Sequence, residues 1–130
     1  NELGGLSERD LLVAGTALYA GEGGKTGNEV VFVNADPRMI GLFLRWLRTF
    51  FAPDEARLRC RLYLHDDLDL ARATSFWSER AEIPVSQFTT PHLVVAGPRF
   101  RVSKHPMGCL TVRYADAPTK RKILGLVEGC

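Results

Sequence analysis

Hydrophobic and polar positions along the chain predict helices and strands in the order α β α β α β β α. A period near 3.6 residues indicates a helix, and strict alternation indicates a strand. Helices are predicted at 7–21, Pro37–Phe51, 67–82 and from Pro118 onward, and strands at 28–34, 56–65, 91–96 and Cys109–Ala115. This order predicts an α+β fold with a four-stranded antiparallel sheet and helices packed on one face.

Small residues occupy one side of the first predicted helix. Ala14, Ala17 and Gly21 recur at i, i+3 and i+7 and therefore share a face. A face of small residues lets a second backbone approach closely. The other side is bulky, and its residues are predicted to enter the core: Leu11, Leu12, Leu18 and Tyr19. We therefore expect this helix to pack on both of its sides.

An acidic residue, Glu22, stands where glycines are expected to end that helix. Gly21 precedes it, and Gly23 and Gly24 follow. The helix macrodipole disfavours a negative charge at a C-terminus. A divalent ion or a nearby cation such as Lys25 would compensate for this. An ordinary glycine cap beside a surface glutamate is the alternative interpretation.

The strand predicted at 56–65 carries an arginine at every second position. Arg57, Arg59 and Arg61 share one face, and Arg113 of the last strand is expected on the same side of the sheet, opposite the helices. Side chains spaced about 6–7 Å apart can follow the phosphates of a nucleic acid, and arginine can also read guanine in the major groove. A solvated sheet face without a ligand is the alternative.

A second basic stretch lies between the last two predicted strands, which we expect to form a hairpin. Arg99, Arg101, Lys104 and His105 would extend the arginine surface towards a polyanion. The net charge of +2 is too small to indicate a nucleic-acid partner by itself. The local clustering of basic residues is therefore the stronger signal.

Composition excludes several other classes of function. The 130 residues fit one domain, residues 1–130, and the start at Asn1 rather than Met is consistent with a piece of a longer chain. The cysteines, Cys60, Cys109 and Cys130, are odd in number and lack CxxC spacing, which favours reduced thiols in a cytoplasmic protein and no zinc site. No apolar run reaches the length of a membrane helix.

The glycine-rich loop resembles the end of a nucleotide-binding loop but fails as one. Residues 24–26 read Gly-Lys-Thr, yet Tyr19 stands where the first glycine of that motif is required. The loop also follows a helix, whereas a phosphate-binding loop follows a strand and opens a helix. We therefore expect no nucleoside triphosphate partner.

Taken together, these residues resemble the LAGLIDADG family of homing endonucleases and their regulatory relatives. Residues 15–23 (GTALYAGEG) are similar to the family's nine-residue motif, with Leu18 at its first inner Leu and residues 21–23 at its closing Ala-Asp-Gly. The stretch departs from the motif at residues 15–17. With the later helix and the arginine strands, the resemblance covers roughly residues 7–129.

The resemblance implies a LAGLIDADG endonuclease-like fold, related to the αββαββα order, that acts on double-stranded DNA. Because one motif is present, it implies a homodimer in which two motif helices pack through Ala14, Ala17 and Gly21. Glu22 of each chain would bind Mg²⁺ and act in metal-dependent phosphodiester hydrolysis.

Further residues take roles that the resemblance implies. Lys25 and Lys104 are the candidates for a basic catalytic residue, and Asn28 joins the candidate DNA contacts. A catalytically inactive DNA-binding regulator is the alternative to an endonuclease. A dimerisation or ligand-binding module without DNA is the third hypothesis, and it leaves the arginine strand unexplained.

Overall fold

The computed structural model describes residues 6–95 and 106–129, and within these ranges the chain forms four helices and four strands. The elements are α1 (Glu8–Glu22), β1 (Glu29–Asn34), α2 (Pro37–Phe51), β2 (Arg59–His65), α3 (Leu70–Ala81), β3 (His92–Val94), β4 (Cys109–Ala115) and α4 (Ala117–Glu128). Two short 3₁₀ turns occupy Glu55–Arg57 and Val85–Gln87. The predicted α+β class is confirmed.

The sheet is mixed, so the prediction of a purely antiparallel sheet is wrong. Its strand order is β1-β4-β2-β3, in which β4 is antiparallel to both neighbours and β3 is parallel to β2. The parallel pair arises because α3 carries the chain back to the end of the sheet from which β2 began. The predicted hairpin between the last two strands is also wrong, since β2 lies between β3 and β4.

The described elements follow the order that the hydrophobic pattern predicts. α2 separates β1 from β2, and α3 separates β2 from β3. This order differs from the αββαββα order that the family resemblance implies.

Side-chain caps set the starts of the helices. Ser7 accepts a hydrogen bond from a backbone amide of the first turn of α1, and Asp36 does the same for α2, which has the predicted bounds. The third helix begins at Leu70, later than predicted, because Asp69 rather than Asp67 is its N-cap.

The core lies between the helices and one face of the sheet. Alternate residues of β2 are buried, as the sequence pattern predicts, and their neighbours are exposed. The largest fully buried aromatic side chains are Trp46, Trp77, Tyr19, Phe32 and Phe43. The opposite face of the sheet stays accessible among the described residues.

The described cysteines are not joined in a disulfide. Cys60 and Cys109 are free, and burial raises the pKa of the Cys60 thiol to about 12, so this sulfur stays protonated near neutral pH. Cys130 lies outside the described residues.

No helix in the described ranges combines the length and the apolar character needed to cross a membrane.

Close packing between α1 and α2 depends on a glycine. A Cβ atom placed on Gly15 would lie 2.2 Å from Cγ of Trp46, which is fully buried. The indole ring therefore packs directly on the helix backbone at this point. The packing of Trp46 in the core therefore requires a glycine at position 15. This requirement is separate from the small-residue face of α1.

We predict that Gly15→Ala destabilises the protein by about 1–3 kcal/mol, since the added methyl group forces Trp46 to move. Gly125→Ala is the matched control, because nothing lies within 4 Å of a Cβ at that position in α4. The control should gain up to about 1 kcal/mol from its higher helix propensity. Urea unfolding measures both, and equal stability of Gly15→Ala and the wild type would contradict the packing described.

Candidate nucleic-acid interface

The face of the sheet that points away from the helices, called the outer face below, carries three of the five described candidate DNA contacts, Arg59, Arg61 and Arg113. It consists of Glu29, Val31 and Val33 of β1, Arg59, Arg61, Tyr63 and His65 of β2, His92 and Val94 of β3, and Cys109, Thr111, Arg113 and Ala115 of β4. These side chains are exposed or half-buried. The predicted arginine surface therefore exists for the arginines of β2 and β4.

The register of the sheet brings two arginines face to face. Arg59 pairs with Arg113 across the antiparallel β2–β4 ladder, and Arg61 pairs with Thr111. Like charges directly opposite one another in a sheet are unfavourable. Arg113 has a partial compensation, since its Nη1 lies 3.3 Å from Oε2 of Glu29. Both of these side chains are 45% exposed, so solvent weakens the pair.

Backbone carbonyls orient the other two guanidinium groups. Nη1 of Arg59 donates hydrogen bonds to the Ala56 and Leu58 carbonyls at 2.7 and 2.8 Å. Nε of Arg61 donates to the Thr90 carbonyl at 2.9 Å. For Arg61 this contact uses Nε, so both Nη groups can still form the bidentate contact that guanine or a phosphate requires.

Arg57 does not share this surface, contrary to the prediction that three arginines alternate along one strand. It lies in the 3₁₀ turn before β2. Its guanidinium packs over the Tyr114 ring, 5.4 Å from the ring centre, and pairs with Asp116 at 3.3 Å. It also donates to the Ala115 carbonyl. Arg57 therefore joins the end of β4 to the start of α4.

Several predicted residues cannot be placed on the outer face. Arg99, Arg101, Lys104 and His105 lie outside the described residues, so their roles stay predictions. Asn28 is exposed and directly precedes β1.

An aromatic pair on the outer face was missed by sequence reasoning. The rings of Tyr63 and His92 stack with their centres 4.9 Å apart and their planes 5° from parallel. The alternation of β2 indicates that Tyr63 points outward. The pairing with His92 was not predictable, because it depends on the parallel register of β2 and β3.

Glu22 lies at one edge of the same sheet. It is the last residue of α1, and its exposed carboxylate accepts a hydrogen bond from Nδ2 of Asn34, the last residue of β1, at 3.2 Å. Beyond the helix, Gly24 donates from its amide to the Val31 carbonyl at 2.8 Å. The end of α1 is therefore fixed along the edge of β1.

The neighbouring loop holds Lys25 close to that end. Nζ of Lys25 donates to the Gly23 carbonyl at 3.0 Å. Gly23 itself packs so tightly that a Cβ would lie 2.4 Å from the Tyr19 ring. Gly23, the closing glycine of the motif-like stretch, is therefore required by the packing of the core. Lys25 lies three residues after Glu22, and its ammonium group contacts the backbone at the end of α1.

A buried lysine supports the loop from the other side. Lys120 is only 1% exposed, and its Nζ donates to the Thr26 carbonyl at 3.1 Å and to the Glu29 carbonyl. Burial lowers the pKa of Lys120, although the nearby charge of Glu29 opposes this effect. Sequence reasoning did not identify Lys120 as a buried residue. Its spacing of three residues from buried Ile123 was the available signal for burial.

Glu22 is the candidate metal ligand at the end of α1. No group of three or more histidine, cysteine, aspartate or glutamate residues that could hold a metal occurs in the described ranges. Mg²⁺ commonly takes one or two protein carboxylates and completes its shell with water and phosphate oxygens. The carboxylate of Glu22 is chemically compatible with such a cation, as one protein ligand among several.

The small-residue face of α1 is accessible in the single chain. Ala17 and Gly21 are exposed, Ala14 is half-buried, and Val13 beside them is 62% exposed. On the opposite side of the helix Leu11 and Tyr19 are buried, as predicted, whereas Leu12 and Leu18 are half-buried.

Comparisons of the chain with protein family models, curated proteins and solved structures found no match.

Proposed function

We propose that this protein binds double-stranded DNA through the outer face of its sheet. The observation that carries the proposal is a set of three exposed guanidinium groups, those of Arg59, Arg61 and Arg113, on one surface not covered by helices. Among the described carboxylates, that of Glu29 contacts one of them. The mutual repulsion of Arg59 and Arg113 would be relieved by phosphate groups.

A duplex fits this surface because the major groove admits β-strands and presents paired acceptors for arginine. The oriented guanidinium of Arg61 is suited to a bidentate contact of that kind. Binding to chromosomal DNA would place the protein inside the cell, in keeping with its free Cys60 and Cys109.

We predict that Arg59→Ala and Arg113→Ala each weaken duplex binding and reduce the salt dependence of the affinity. Each lost phosphate contact should lower the slope of log affinity against log salt by about 0.9. Arg72→Ala is the control, because Arg72 is exposed on α3, away from the outer face. Fluorescence anisotropy at several salt concentrations measures the slope. Affinity that is independent of salt, or absent binding, would rule out the proposal.

We also propose a homodimer that forms through the small-residue face of α1. Of its three residues, Ala17 and Gly21 are exposed and Ala14 is half-buried, so a second helix could approach closely along this line. A twofold pair of chains would then present two outer faces to a near-palindromic DNA site.

Ala17→Leu should convert the dimer to a monomer, because the larger side chain prevents close approach of the helices. Ala71→Leu makes the same change at an exposed position of α3 and should leave the dimer intact. Light scattering across a range of concentrations measures the mass. A dimeric Ala17→Leu variant, or a monomeric wild type, would exclude this interface.

The catalytic part of the proposal is hydrolysis of DNA with Glu22 and Lys25. Glu22 would hold Mg²⁺ together with its counterpart in the second chain, and Lys25, in the adjacent turn, would lie close to the negative charge of the phosphate. When bound, Mg²⁺ stabilises negative charge on phosphate oxygens and lowers the pKa of bound water.

A regulator without nuclease activity is the second candidate. The hydrogen bond from Asn34 gives the Glu22 carboxylate a role in joining α1 to β1 that needs no metal. This observation favours a structural function for the same acid.

Glu22→Gln distinguishes the two, because its amide oxygen can still accept from Asn34 while the negative charge is lost. If the protein is an endonuclease, it should nick plasmid DNA in the presence of Mg²⁺, and the rate of nicking should fall at least about a hundredfold in Glu22→Gln. Glu79→Gln, at an exposed position of α3, should retain full activity. Tight binding without nicking by the wild type, across a broad DNA library, would identify the regulator instead.

A further inference from the structure

Charge is distributed unevenly over the outer face. Arg59 and Arg113 pair at one end of the β2–β4 ladder, and Arg61 follows. At the other end, Tyr63 has Cys109 as its neighbour on β4 and His92 as its neighbour on β3. A strongly basic region is thus continuous with a region whose largest accessible side chains are two aromatic rings.

The stacked pair is fixed and accessible at the same time. Tyr63 is 47% exposed and His92 is exposed, while the parallel stacking holds the two rings against each other. The parallel pairing of β2 and β3 places Tyr63 opposite His92 and so supports the stacking of their rings. A preordered pair loses little conformational entropy on binding, which makes it suited to recognition.

The chemistry of the major groove limits what such a pair can contact. Base edges there present hydrogen-bond donors and acceptors, together with one apolar group, the C5 methyl of thymine. Arginines satisfy the acceptors, whereas an aromatic ring is complementary to the methyl group.

We propose that Tyr63 and His92 recognise a C5-methylated pyrimidine in the bound duplex. This inference rests on the proposed function, since it requires DNA on the outer face. Arg59 and Arg113 then supply affinity for any sequence through phosphates, and the aromatic pair supplies preference among sequences.

The test uses the duplex that the full chain enriches from a random DNA library. Replacing its thymines singly with deoxyuridine removes one methyl group at a time without changing base pairing. The wild type should lose about fourfold in affinity at one or two positions, the effect of one buried methyl-sized group. A second arm replaces each cytosine with 5-methylcytosine, and a gain of similar size there would identify that base as the source of the methyl group.

Variants assign the effect to the pair. Tyr63→Ser removes the ring without adding a methyl group that could itself contact thymine, and it should bind deoxyuridine and thymine duplexes equally with an unchanged salt slope. Tyr63→Phe should keep the discrimination. Leu93→Thr is the control, at a 46% exposed position of β3, the edge strand that also carries His92. It should keep the discrimination.

Three results would overturn the inference. They are salt-dependent binding that no methyl replacement alters, discrimination that survives Tyr63→Ser, and tighter binding of the corresponding single strand, which would indicate stacking on an unpaired base. Absence of salt-dependent binding by the wild type would instead refute the proposed function itself.

Discussion

Strands β1, β2 and β4 each bury alternate residues on the one face of the sheet that packs against the helices, and the accessible surface of the molecule depends on this constraint. Because the helices occupy that face, the side chains between the buried positions must point outward. β2 shows the consequence most clearly: Cys60, Leu62 and Leu64 are buried, and the residues between them are exposed. The same alternation that forms the core therefore aligns Arg59, Arg61 and Tyr63 on one accessible surface.

The end of α1 depends on that core in a second way. The buried Tyr19 hydroxyl donates to the Gly24 carbonyl at 2.6 Å and accepts from the Val31 amide at 3.3 Å, so one side chain links helix, loop and strand. Burial raises the pKa of Tyr19, and the hydroxyl keeps its proton near neutral pH. With Lys120 holding the other end of the loop, the positions of Glu22 and Lys25 follow from buried polar contacts.

Local patterns predicted much of this structure, and non-local pairing explains what they missed. The start of α2 follows from a capping aspartate before a proline, and the outward direction of Arg59 and Arg61 follows from the two-residue period. The parallel pairing of β2 and β3 joins residues about thirty positions apart, and no local signal specifies it. For the same reason the stacking partner of Tyr63 could not be predicted. Arg57 departs from the pattern because it lies in a short 3₁₀ turn, capped by Asp54, and the alternation of β2 begins only at Arg59.

The most direct test of the central claim follows the side-chain Nε–H resonances of the arginines by NMR as a DNA duplex is added. Signals of Arg59, Arg61 and Arg113 should shift together and saturate with the duplex, because their guanidinium groups meet phosphates and base edges. Signals of Arg72 and Arg121, which are exposed on α3 and α4, should stay unchanged. Shifts confined to the helical arginines, with those of the outer face unaffected, would contradict the account.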